Sequence, residues 1–191
     1  MKKFLLFSLL FLIPFLSYSQ VEFNGMRVGE SLEITKKNFI EKGFTQKSSS
    51  SNLIIWEGTI SGKKGQVYTV SSPKSKLVWK FVVIPETHTN WSSVKGAMDK
   101  FVGLFTKKYG EPTNQYFWFR EPYKEGDGDE MMAIKLDKLV YLYAWDIPGG
   151  SIMLEVNSVV YGEARIKSSY EDEEVANMAK EEKSQIDSNT F

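Results

Sequence analysis

Histidine-dependent chemistry in this chain has a single candidate centre, because His88 is the one histidine among 191 residues. It lies in Pro85-Glu-Thr-His-Thr-Asn90, a polar connection ahead of a strong helical pattern, where an imidazole is usually a solvated polar group. A serine–histidine–acid arrangement would also need an exposed nucleophile, and no Gly-x-Ser-x-Gly elbow occurs. Acids cluster in Glu125-Gly-Asp-Gly-Asp-Glu130, which invites a calcium loop. Met131 and Met132 then interrupt the alternating oxygen ligands that such a loop requires. The same composition suits a hairpin tip whose charges keep two apolar strands from aggregating. Paired carboxylates for glycoside hydrolysis are plentiful, but no spacing selects a pair. Glu171-Asp-Glu-Glu174 reads as the solvated start of a helix, where acids meet the positive end of the dipole. There is no phosphate-binding loop and no dinucleotide glycine fingerprint. The chain has no cysteine, which removes thiolate nucleophiles, disulfides, iron–sulfur clusters, cysteine-bound zinc and an acylated anchor. Neither a cofactor nor a metal is expected.

The aromatic strands are the most informative remaining pattern. In Leu139-Val-Tyr-Leu-Tyr-Ala-Trp145, strand alternation puts Tyr141, Tyr143 and Trp145 on one side and Val140, Leu142 and Ala144 on the other. Aliphatic residues suit the side that helices cover, so the three rings are expected on an open face. Tyr116 and Trp118 alternate in the same way against Phe117 and Phe119. Large amphipathic rings suit a binding surface, so Tyr116, Trp118, Tyr141, Tyr143 and Trp145 form the candidate site. The competing reading is that these rings are core, or simply follow β-propensity. Trp56 and Trp79 are expected in the core.

The elements that would position these rings fall into two similar halves. Residues 21–29 open the first, with turns at Gly25 and Gly29. Ser31 is a fitting N-cap for a helix to about Lys42, with Gly43 as its C′ residue and Leu32, Phe39 and Ile40 as its stripe. A serine-rich connection, 46–52, leads to strand-like runs at 53–60, 66–71 and 77–84. The second half begins with a helix capped by Asn90. Trp91, Val94, Met98, Phe101, Phe105 and Tyr109 recur along it at helical spacing, and Gly110 and Pro112 end it. Gly96 and Gly103 inside it are expected to ease packing on the sheet. Strand-like runs follow at 115–120, 130–136, 139–145, 152–156 and 159–166. From Tyr170 the chain is charge-rich and reads as a marginal helix that buries Val175, Met178 and Ile186.

Ahead of all this, Met1-Lys-Lys3 and the apolar run 4–16, closed by Ser17-Tyr-Ser19, have the order of a secretory signal peptide. The apolar part is short for a membrane span. The expected organisation is therefore a signal peptide at 1–19, a first helix-plus-sheet repeat at 20–88, a second at 89–170 and a charged segment at 171–191. Without Lys2 and Lys3 the mature chain carries 22 basic and 24 acidic residues, so neither nucleic acid nor anionic lipid is an electrostatically favoured partner.

Two stretches carry a resemblance. Phe23-Asn-Gly-Met-Arg-Val-Gly-Glu-Ser-Leu-Glu33, with its helix to Lys-Gly-Phe44, resembles the opening of small exported domains of the β-lactamase-inhibitor-protein type. The outer-membrane assembly lipoprotein BamE shares that general fold. Lys-Lys-Tyr-Gly-Glu-Pro112 and the closing strand resemble uncharacterised secreted proteins of the same kind. The resemblance implies an α+β fold of tandem helix-plus-antiparallel-meander repeats in a two-layer sandwich, with helices on one face of the sheet. It also implies binding of other proteins. The expected function is a non-enzymatic periplasmic or secreted binding or envelope-assembly protein. A carboxylate-dependent hydrolase and a carbohydrate-binding module are the alternatives.

Overall fold

The computed structural model describes residues 21–159 and 162–188; the expected signal peptide lies outside them. Among the described residues the fold is α+β, with four helices and a large antiparallel sheet. A small hairpin opens the chain, β1 (Glu22–Phe23) and β2 (Met26–Arg27), turning on Gly25 at positive φ. Helix α1 (Leu32–Glu41) follows, with the Ser31 hydroxyl accepting from the Ile34 N–H as the capping pattern predicts. Four strands then form a meander: β3 (Thr45–Ser49), β4 (Leu53–Ile60), β5 (Lys63–Ser71) and β6 (Val78–Ile84). Ile60 pairs with Lys63 across Ser61-Gly62, both at positive φ, which is the twist that a two-residue hairpin loop requires.

After β7 (Thr87–His88) comes α2 (Trp91–Tyr109), where Asn90 Oδ1 accepts from the Ser93 N–H at 2.9 Å. A second set of strands follows: β8 (Asn114–Phe119), β9 (Leu139–Ile147), β10 (Gly150–Ser158) and β11 (Ala164–Asp172). Between β8 and β9 the chain forms α3 (Glu130–Lys135), and it closes with α4 (Glu173–Ser188). Strand order across the sheet is β3-β4-β5-β6-β11-β10-β9-β8, with β7 also pairing β11. Each helix-then-meander series therefore runs inward from its own edge, and the last strands of the two series meet in the middle. There Phe81 stands opposite Tyr170 and Val83 opposite Ser168.

Register carries one set of residues across the sheet on the helix-covered face. Trp56 pairs with Val67, Val67 with Val83, Tyr170 with Ile152, and Ile152 with Trp145. Helix α1 packs here through Phe39, whose ring stacks on Trp56 at 4.8 Å and meets Phe44 and Phe81 edge-on. Helix α2 adds buried Val94 and Met98, and Phe105 touches Trp145 and Tyr170. Ala133 and Ile134 of α3 join the same core.

Several expectations require correction. The run at 130–136 forms helix α3 over Glu130–Lys135, because so short a pattern fits either period and tertiary packing decides it. The serine-rich stretch after Phe44 is not a loop: β3 is an edge strand whose residues are all exposed, so it has no alternating pattern to reveal it. The run at 159–166 enters its strand only at Ala164 and continues to Asp172. Ile40 is exposed, and Thr35 takes its place on the buried side of α1. Gly96 and Gly103 are exposed, with open space where a side chain would stand.

Helices on one face only is the largest correction. Helix α4 crosses one end of the opposite side, burying Val175, Ala176 and Ala179. Ala176 and Ala179 face Val70 and half-buried Trp79 across a cleft, and Ala176 also borders Ser151 and Glu171. Two small residues let the helix approach closely, and the Asp172 carboxylate caps it by accepting from the Val175 N–H at 2.9 Å. The Glu182 carboxylate accepts from the backbone N–H groups of Lys74 and Ser75, tying α4 to the β5–β6 turn.

Candidate functional site

The five aromatic candidates do not share a face. Phe117 pairs with Tyr141 and Gln115 with Tyr143, so the β9 rings lie on the same side as Phe117 and Phe119. Tyr116 and Trp118 pair with Leu142 and Val140 on the other side. The alternation is as the sequence predicts; the choice of which side the helices cover is inverted. Trp145 is 1% exposed, and its Nε1 donates to the Gly110 carbonyl at 2.9 Å. Tyr141 is buried, touching Trp91 of α2 and Phe117, and burial pushes its hydroxyl pKa well above the usual phenol value. Tyr143 is half-buried against the core, and its hydroxyl accepts from Gln115 Nε2 at 3.0 Å. The physical reason is volume. A helix standing off a sheet leaves a gap that Tyr and Trp fill, whereas Val140, Leu142 and Ala144 would leave voids there.

Tyr116 and Trp118 do stand in solvent, at 43% and 44% exposed, with rings meeting edge to face at 5.6 Å. They lie at one end of the part of the sheet that α4 leaves uncovered. Register places Ile55, Tyr68, Val82, Ser169, Met153 and Ala144 in one row across that open face. All but Ser169 are half-buried. Beside it run Lys167, Glu155, Leu142 and Tyr116. The apolar row is bordered by ion pairs: Lys80 with Glu171 at 3.1 Å, Lys167 with Glu155 at 2.8 Å, and Lys47 and Lys64 both on Glu57. The Lys47 ammonium, hydrogen-bonded to Glu57, holds that carboxyl below its ordinary pKa. Trp56, expected in the core, is fully buried against Phe39 and marks the covered side of residues 53–60, whereas Trp79, expected there too, is half-buried beside α4.

The other chemical candidates are spread apart. His88 lies in β7, opposite Ala164 of β11, rather than in a loop, and its Nε2 is buried. In 125–130 two carboxylates serve the local backbone, Asp127 accepting from the N–H groups of Lys124 and Asp129 and Glu130 from that of Gly126, while Glu125 pairs with Lys95 of α2 at 2.7 Å. Those hydrogen bonds, the one from Lys124 foremost, lower the pKa of Asp127. The segment leads into α3 and is not a hairpin tip. Among the described residues, no group of three or more His, Asp or Glu converges as a metal site would require.

Among the described residues no helix is long and apolar enough to cross a membrane. No protein-family model, curated protein or solved structure matches the chain.

Proposed function

We propose that this chain is an exported, non-enzymatic binding or envelope-assembly protein that receives another protein on the uncovered part of its sheet. The observation that carries this reading is the apolar row Ile55-Tyr68-Val82-Met153-Ala144 beside Tyr116 and Trp118, left bare by α4 and edged with ion pairs. An apolar centre with a charged rim is the anatomy of a protein interface. The mirrored strand order supports the tandem helix-plus-meander architecture, with the two copies joined at β6 and β11. A sugar-binding platform would present ring faces flat to solvent, whereas Tyr116 and Trp118 meet at 81°. That geometry favours a protein partner over a glycan.

Photo-crosslinking tests the proposal. A photoreactive residue at Met153 should trap one discrete protein in the native envelope, while the same residue at exposed Lys37 on the outside of α1 should not. Equal labelling at both positions, or none at Met153, would overturn it.

A further inference from the structure

The sheet has two edges, and β8 is the one built to accept another strand. Nothing among the described residues pairs with its outer side. Its whole length, Asn114-Gln-Tyr-Phe-Trp-Phe119, is uncharged, and its register with β9 is free of shifts. The Arg120 N–H donates to the Lys138 carbonyl across that ladder at 2.7 Å. Antiparallel pairing alternates inward- and outward-pointing backbone groups, so Gln115, Phe117 and Phe119 turn their N–H and C=O groups outward. Trp91 supports this strand from the helix side, stacked at 8° on Phe117 and edge-on to Phe119.

We propose that β8 pairs antiparallel with β8 of a second copy of this chain, about a two-fold axis at Phe117, making one continuous sheet across the dimer. This goes beyond the open-face reading, since it engages the strand's backbone rather than the apolar row. Three observations favour a second copy as the occupant. The first is self-complementarity. With Phe117 opposite itself, the outward backbone of Gln115 meets that of Phe119, and Tyr116 stands opposite Trp118 on the open face, so every pairing on the strand contains an aromatic except Asn114 with Arg120. The second is charge. No like charges fall opposite one another in this register, whereas centring on Tyr116 would set Glu111 against Glu121 and Pro112 against Arg120. The third is that the chain already makes a joint of this kind, antiparallel and aromatic-centred, where Phe81 meets Tyr170 between its two halves. An isologous contact of this geometry closes on itself and leaves no free β8 edge to propagate.

The absence of cysteine makes the register directly testable. Residues that face each other as a hydrogen-bonded antiparallel pair lie about 5.5 Å apart at Cα, within disulfide reach. In mature chain, sedimentation should give twice the monomer mass. Phe117→Cys should cross-link to a dimer under mild oxidation and Gln115→Cys should not. Phe117→Lys and Phe117→Glu should each sediment as monomers with an unchanged far-UV spectrum, and mixing the two should restore the dimer, which misfolded variants could not do. A wild-type chain that stays monomeric at tens of micromolar, equal cross-linking at both positions, or no recovery on mixing would overturn self-pairing. Cross-links from Met153 to a different protein would persist in either case, so the two proposals fail separately.

Discussion

The two edges of one sheet are handled in opposite ways. Strand β3 is polar, carries Lys47, is interrupted by a register shift between Gln46 and Ser48, and lies in front of a sealed cluster of Phe39, Phe44, Trp56 and Phe81. Lysine, irregular pairing and small polar side chains are the usual means of keeping an edge from recruiting other strands. Strand β8 has none of these, and its aromatic cluster of Trp91, Phe117, Phe119 and Tyr141 runs out to solvent instead of being closed off. Both edges follow a helix, although α3 interrupts the second series of strands, and the proposed self-pairing gives the difference a use: one edge is closed off and the other is kept available.

The comparison can be broken from its most consequential residue downward. Phe39 has no exposed surface, so Phe39→Ala should lose about 4 kcal/mol in chemical denaturation. Trp91, at the start of α2, packs under β8 but is only half-buried, so Trp91→Ala should lose about 2 kcal/mol. If the Trp91 variant lost as much as the Phe39 variant, the second cluster would be as closed as the first. Helix α2, which supports the β8 half, carries an exposed Gly103 with open space beside it, and Gly103→Ala should gain about 1 kcal/mol. Trp118→Lys, which gives β8 the chemistry of β3, should change stability by no more than about 0.5 kcal/mol. Light scattering should show it lowering association, and unaltered association would argue against the open-edge reading. Acid should separate the edges most gently. Glu57 has a lowered folded pKa beside Lys47, so its contribution is present above the ordinary carboxylate range and lost as pH falls through the folded value. Hydrogen-exchange protection, taken relative to the intrinsic rate at each pH, should therefore fall at β3 on acidification, while β8, with no carboxylate, gains no such sensitivity.

Much of this fold could be read from local pattern. The α2 stripe from Trp91 to Tyr109 and its Asn90 cap carry a complete helical signal, and they emerged as expected. The alternation in β9 was equally clear, yet parity alone does not say which side a helix will cover. That choice depends on the register linking Trp145 through Ile152 and Tyr170 to Phe81, which joins residues far apart in the chain. For that reason Tyr141 and Trp145 are core, Tyr143 packs half-buried against it, and only Tyr116 and Trp118 of the candidate set stand in solvent. Helix α4 hid its packing for a different reason. It docks through Val175, Ala176 and Ala179, and two alanines in so charge-rich a segment read as part of a solvated helix rather than as a buried stripe.

The meeting of β6 with β11 has a consequence in time. Tyr170 reaches Phe81 only after nearly the whole chain has emerged, so the first half must wait with one side of its innermost strand unpaired. Long waits of this kind slow folding and expose the unfinished edge to wrong partners. A chain ending at residue 158 should consequently leave the β6 amides that face β11 exchanging freely, while those bonded to β5 stay protected, though every residue of the first half is present. What sits at the centre of the finished sheet is the last piece of it to arrive.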